Sequence, residues 1–275
     1  MKGKLKSSNL IVHIILIIGA IAMLIPFIWM ILTSLKTLTE STSLPVTIMP
    51  KSFKWGNYVD VWNQLPFAKF YINTMLMIFF RVIGSVFFSA MAAYALARIE
   101  FPGKNFFFML ILIQMMIPGQ IFIIPQYAII SKLGLLNTVT ALVIPGIISA
   151  FGTFLLRQFF IGIPKELEEA AILDGCNRWQ VFWKVMLPLT RSGLVALGIF
   201  TSVFAYKDLM WPLIVNMSLD KMPLAAGMAS LQGQYSTNFP QLMAGSMIAI
   251  WPMLIIFIIF QKQFIEGVAS TGSKS

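Results

Sequence analysis

An all-α polytopic membrane protein with six membrane-spanning helices and a short folded helix on its inner side is the fold class this sequence predicts. Three observations carry the prediction. Of the 275 residues, 58% are hydrophobic and only 11% charged, too few charges to cover the surface of a soluble domain of this length. Six apolar runs reach the roughly 20 residues that a helix rising 1.5 Å per residue needs to cross the hydrocarbon layer. The basic residues gather in short clusters between those runs.

The net charge of +10 does not point to nucleic acid, because its lysines and arginines are scattered among the connections instead of forming one basic face. A single cysteine, Cys176, excludes an intramolecular disulfide framework, and a single histidine, His13, is too little for a histidine-based metal cluster.

The spans are placed near 11–32, 72–96, 106–130, 139–160, 193–215 and 242–261. The first follows Lys2, Lys4 and Lys6 in the manner of a signal peptide. Its apolar stretch runs past 20 residues with no small-residue cleavage site, which favours an uncleaved span. Pro26, Pro118, Pro125, Pro145, Pro212 and Pro252 fall within spans, where bilayer helices tolerate proline if neighbours satisfy the freed carbonyls.

Orientation follows from the connections. With the N-terminus inside, the cytoplasmic side receives twelve basic residues: Lys2, Lys4, Lys6, Arg98, Lys104, Arg157, Lys165, Arg178, Lys184, Arg191, Lys262 and Lys274. The outer side receives six, Lys36, Lys51, Lys54, Lys69, Lys132 and Lys221. Both termini are therefore expected in the cytoplasm. The outer connection, about 33–71, carries Trp55, Tyr58, Trp62 and Tyr71, suited to the lipid interface or to a docking partner.

The inner connection, about 161–192, is the one polar segment that reads as folded. Pro164 suits the first turn of a helix, and Glu166, Glu168 and Glu169 place negative charge near its positive end. Leu167, Ala170 and Ala171 supply an apolar side, Gly175 interrupts, and Pro188 closes the segment before the fifth span. The residues alone leave two readings open: an interfacial helix lying on the membrane, or a compact helix–turn–helix that enters a cleft in another protein.

The combination Glu169-Ala170-Ala171, Asp174, Gly175 and Leu187-Pro188 resembles the ATPase-docking segment of carbohydrate ABC importer permeases, specifically the maltose-type group. Cys176 stands where alanine is common, and Val185 where isoleucine is common. The resemblance extends over nearly the whole chain, through ALARIEFPGK (95–104), MIPGQIFIIPQYAIISKLGLLNT (116–138), FAYKDLMWPLIV (204–215), FPQLMAGSMIAIWP and QKQFIEGVASTG. Lys207 departs from it, replacing the asparagine often found before the acid.

What the resemblance implies is a type I ABC importer permease fold, one transmembrane domain over 1–275, in a bacterial cell membrane. Its coupling loop, about 161–192, would be a socket in which Glu169, Ala170, Ala171, Asp174, Gly175, Leu187 and Pro188 dock the ATPase. The implied partners are a second homologous permease, two nucleotide-binding ATPase subunits that hold ATP and Mg, an external solute-binding protein, membrane lipid, and a sugar or oligosaccharide substrate. No cofactor is expected in this chain.

An ionisable side chain within a span is costly and normally faces the bundle interior, water or a neutralising partner. Arg81, Asp208, Tyr206 and Trp211 are accordingly candidates for the translocation path or its gate, with a structural ion pair the competing reading for Arg81. No Gly-rich phosphate loop ending in Lys and Ser or Thr is present, so the chain is not expected to hydrolyse ATP. A non-sugar solute such as glycerol phosphate, an ion-coupled secondary transporter and a purely structural membrane protein are the rival readings.

Overall fold

The computed structural model describes the backbone of residues 7–233 and 236–272, and side chains from 12 to 233 and from 236 to 263. Lys2, Lys4, Lys6 and Lys274, on which part of the charge bias rests, lie outside the described residues, as do both chain ends. In chain order the α-helices are α1 (Ser7–Ser34), α2 (Leu38–Thr42), α3 (Gly56–Gln64), α4 (Phe67–Arg98), α5 (Lys104–Met116), α6 (Ile123–Lys132), α7 (Val139–Val143) and α8 (Ala150–Ile161). They continue as α9 (Lys165–Leu173), α10 (Arg178–Val181), α11 (Leu187–Leu189), α12 (Arg191–Tyr206), α13 (Met210–Val215), α14 (Leu224–Ala229), α15 (Phe239–Ala249) and α16 (Trp251–Gly272).

The fold is an all-α polytopic membrane architecture. Three stretches cross a membrane by length and composition without a sharp break: Val12–Ser34, Phe67–Arg98 and Phe239–Gln263. Three bent pairs bring the number to as many as six when each pair counts as one span: Lys104–Met116 with Gly119–Lys132, Val139–Gly146 with Ala150–Ile161, and Arg178–Leu189 with Arg191–Tyr206.

The two larger bends, and a break within the fifth run, each have a local cause. The third run turns through 101° because Ile117 and Pro118 are both extended; a residue before proline is pushed out of the helical region. The fifth run, expected as one span over 193–215, stops at Tyr206 and resumes as α13. Pro212 has no N–H to give the Asp208 carbonyl and its ring would collide with that carbonyl, so the chain breaks over 207–209. Upstream, α12 meets Arg178–Leu189 at 75°. There Pro188 cannot bond the Lys184 carbonyl, the preceding turn widens into a π-helix at Phe182–Met186, and the Thr190 hydroxyl donates to the Met186 carbonyl at 2.7 Å.

The chain divides into two compact units. The first comprises residues up to Pro66 and Met228–Trp251. In it α1, α2 and α3 pack on α15. The connection after α1 is folded: Lys36 is only 1% exposed, its ammonium lies 4.7 Å from the centroid of the Trp29 ring and donates to the Thr47 carbonyl, and Asn57 bridges the Ser34 and Lys36 carbonyls at 2.7 and 2.9 Å. Thr37 and Glu40 form a reciprocal capping box at α2. Trp55 and Trp62 are exposed.

The second unit, Phe67–Gly227 with Pro252 onward, is built on α4, against which α8 and α12 pack. Residues buried on α4 recur every three or four positions: Phe70, Thr74, Met77, Arg81, Ser85, Ser89 and Ala93. The small serines let α8 approach closely. A Cβ on Gly152 would stand 2.6 Å from the Ser89 hydroxyl, so the crossing requires glycine there. Large apolar side chains are exposed along α1, α4, α5 and α16, the surface a bilayer would solvate.

Candidate functional site

The 165–189 segment is assembled from local signals. Pro164 occupies the N-cap of α9, one position ahead of the first turn in which it was expected, with Glu166 and Glu168 in that first turn. At the other end the Gly175 N–H donates to the Ile172 carbonyl and the Cys176 N–H to the Ala171 carbonyl, both at 3.0 Å, the bond pair of a Schellman motif. Gly175 has φ +86°, a conformation that side chains with a Cβ rarely adopt. One residue later Asn177 and Gln180 form a capping box that starts α10. Two helices are thus joined by a turn of four residues, Asp174–Asn177, whose backbone N–H groups are all hydrogen-bonded.

The inward face of α9 differs from the expected one. Leu167 is 44% exposed and Ala170 is exposed, whereas Glu168 and Ala171, three apart on the helix, are the buried pair. Glu168 turns inward because polar partners await it. The Tyr94 hydroxyl of α4 donates to its Oε1 at 3.1 Å, and Arg98 Nε lies 3.9 Å from its Oε2. Arg98 Nη2 also donates to the carbonyls of Phe160, at 2.6 Å, and Ile163. Around this polar cluster Phe160, Ala171, Phe182 and Met186 close an apolar core, with the Tyr94 ring centroid 5.8 Å from that of Phe160 and 5.2 Å from that of Phe182. A buried carboxylate so held fixes α9 to the end of α4.

Of the residues expected to dock a partner, Glu169, Ala170, Asp174, Gly175 and Pro188 are exposed, Leu187 is half-buried and Ala171 is covered. Beside them Leu173 is 88% exposed and Ile172 46%, an apolar projection on a helix that turns its acid inward. In the connection after α4, Lys104 donates to Glu100 at 2.9 Å, and that bond holds the Glu100 carboxyl below its usual range.

A second cluster lies about 20 Å away along α4, thirteen residues before Tyr94. Arg81, 7% exposed, donates from Nη2 to Asp208 Oδ2 at 2.9 Å and from Nε to the Leu142 carbonyl at 2.7 Å. The Trp211 indole donates to the neighbouring Ala141 carbonyl at 2.9 Å. Arg81, Asp208 and Trp211 therefore meet around α7, binding two helix breaks to the unbroken α4. Gly146 permits this: a Cβ there would lie 2.5 Å from Arg81 Cδ. Tyr206 is half-buried against the same apolar cluster as Met77 and Val215.

Sequence reasoning flagged Arg81, Asp208 and Trp211, and the structure brings them together. It missed the Tyr94, Arg98 and Glu168 cluster. The available signal was the spacing of Tyr94 and Arg98, four apart and so on one face at the end of a span.

Comparison with known proteins adds a family. Residues 85–269 match the family described as binding-protein-dependent transport system inner membrane component. The arabinooligosaccharides transport system permease protein AraQ of Halalkalibacterium halodurans is 36% identical, covering 90% of each chain. The sn-glycerol-3-phosphate transport system permease protein UgpE of Pectobacterium atrosepticum is 31% identical over 94% of this chain and 95% of its own. Among solved structures, a bacterial ABC transporter involved in the import of the acidic polysaccharide alginate superposes with a TM-score of 0.78 at 24% identity, over 95% of this chain and 99% of that one. At that identity the likeness speaks for the fold, a type I importer permease architecture.

Proposed function

The chain belongs to the family of binding-protein-dependent transport system inner membrane components, and on that premise we propose that it is the permease subunit of a maltose-type, ATP-driven carbohydrate importer. The family is that of the membrane component, a solute-importing transport subunit and not an ATPase. Family membership implies the usual partners: a second permease, ATPase subunits and a solute-binding protein.

The observation that carries the coupling part of the reading is the attachment of α9 to α4 through Glu168, Tyr94 and Arg98. Glu169, Ala170, Asp174, Gly175, Leu187 and Pro188 form the ATPase-docking face in this reading, with Ala171 beneath them. The inward-turned acid anchors that face to a membrane span 32 residues long. Movement of the docking face then reaches the span through a packed, charged contact. ATP-driven closure of the partner ATPases shifts the equilibrium between inward- and outward-open paths, because the partners bind the two states with different affinity. Arg81, Asp208, Trp211 and Tyr206 shape the path where two spans are broken. The solute is a carbohydrate; the named relatives that handle arabino-oligosaccharides support this, and those that handle sn-glycerol-3-phosphate keep a phosphorylated polyol as the second reading. Residues 1–275 form one functional transmembrane domain in a bacterial inner membrane, with 161–192 as its coupling loop and both ends in the cytoplasm.

The test is reconstitution. The complete complex in proteoliposomes should hydrolyse ATP faster when solute-loaded binding protein is supplied, and should accumulate the solute, whereas this chain alone should hydrolyse none. Transport driven by an ion gradient without the ATPase subunits would reject the reading.

A further inference from the structure

The translocation reading leaves one charge without a role. Lys207 sits at the break after α12, where it ends the helix with φ −88° and ψ 2°. Sixteen helical residues separate it from the start of α12, about 24 Å of rise, so it lies within the thickness of a hydrocarbon layer about 30 Å deep if α12 crosses it upright. An ammonium at that depth needs an acid, water, the surface of a path, or a stem that reaches the interface.

The adjacent acid is not its partner. Asp208 turns the other way and gives its carboxylate to Arg81 at 2.9 Å. Among the described residues no acid lies within ion-pair distance of Lys207; its ammonium rests 4.8 Å from the centroid of the exposed Phe204 ring. The carboxyl end of α12 offers a partial negative charge, which compensates only part of a full positive one. Lys207, Phe204, Asp208, Leu209, Met210 and Leu213 line a shallow, open depression of about 500 Å³. An exposed aromatic face beside a free cation, in a hollow with apolar walls, can hold the ring or chain of a polar solute while the ammonium meets a negative group.

We propose that Lys207 is a recognition point for a carboxylate or phosphate carried by the transported solute, with Phe204 as its stacking neighbour. The proposal rests on the permease reading and narrows its substrate to an anionic carbohydrate or polyol phosphate. Arg81 cannot do this work, since Asp208 already neutralises it. A lysine is suited to the task as a compact point charge on a flexible stem.

The experiment uses the complete complex in proteoliposomes with its binding protein, and three labelled probes: digalacturonate, glycerol 3-phosphate and uncharged arabinotriose. Wild type should take up one of the two charged probes, and which one distinguishes a carboxylate from a phosphate. Lys207→Gln should raise the apparent KM for that probe about tenfold, Lys207→Arg should retain most of the uptake, and the wild-type advantage should shrink at high salt, as for any exposed charge interaction. Uptake of arabinotriose alone, or of no charged probe, overturns the proposal; ATP hydrolysis that still answers the arabinotriose-loaded binding protein would leave the permease reading standing. Unchanged charged-probe uptake in Lys207→Gln also overturns it. So does loss of the second permease from purified Lys207→Gln complexes, which would place the missing acid on that subunit.

Discussion

Arg81 and Asp208, 127 residues apart in the chain, form one ion pair at 2.9 Å that ties the unbroken helix α4 to the break after α12. Because the same guanidinium also holds the Leu142 carbonyl, three segments share a single side chain.

Removing one partner should therefore cost more than removing both. Arg81→Met leaves the Asp208 carboxylate largely buried without its cation, and should destabilise the chain by about 3 kcal/mol. The double variant Arg81→Met with Asp208→Leu should recover a large part of that loss, read as the midpoint of thermal unfolding in detergent. Additive losses would mean that the two groups do not interact.

Glu168→Ala should uncouple more than it unfolds. It strips the Tyr94 hydroxyl of its acceptor and the Arg98 guanidinium of its counter-ion 3.9 Å away, a loss of about 1–3 kcal/mol for buried groups left without a partner. In the assembled complex we expect ATP hydrolysis to persist while solute moved per ATP falls severalfold. Glu168→Gln keeps an acceptor for Tyr94 and should lie between. An unchanged ratio of transport to hydrolysis in Glu168→Ala would remove α9's anchor from the coupling account.

These two clusters also mark how far the sequence could be read. The apolar runs were legible because lipid demands them residue by residue, and the turn at Gly175 was legible because its chemistry is local. Arg81 and Asp208 were each conspicuous as charges in a span, yet their pairing was hidden by the 127 residues between them. Glu168 was harder still. At the start of a helix an acid is explained by the backbone dipole alone, so nothing local announced that this one faces inward to Tyr94 while Glu169 faces out. The break after Tyr206 was missed because the apolar run hides it, although Pro212 was the available cue.

Acid should loosen the connection after α1. The Lys51 backbone N–H, at 2.5 Å, is the main reason the Glu40 carboxyl is held below its ordinary value of 4.5, with the Thr37 cap adding to it. A carboxyl depressed by folding stabilises the fold fully above its unfolded value, and that stabilisation is lost as pH falls through the lower, folded value. Amide exchange across Thr37–Lys51 should therefore quicken, relative to the intrinsic rate, below about pH 4.5, and Glu40→Gln should quicken it at neutral pH. Protection that is indifferent to both changes would contradict the assignment.

The central claim, that the 165–189 segment transmits the work of ATP hydrolysis, is tested most directly on residues that face outward. Glu169 has no partner within the described chain, so Glu169→Lys should spare the fold while opposing any basic contact on the ATPase. Gly175→Val forces a β-branched residue into φ +86°, and since a Cβ there meets nothing within 4 Å, its cost comes from the backbone alone. Gly175→Asn, which tolerates that conformation better, should retain more function, and Lys165→Gln should behave like wild type. The measurement is solute-stimulated ATP hydrolysis and uptake by each variant in the reconstituted complex, with subunit composition checked by pull-down. The account predicts that Glu169→Lys and Gly175→Val keep the second permease but lose stimulation or the ATPase itself; wild-type stimulation and uptake in both, at unchanged stoichiometry, would contradict it and leave α9 as a helix that merely lies against the membrane.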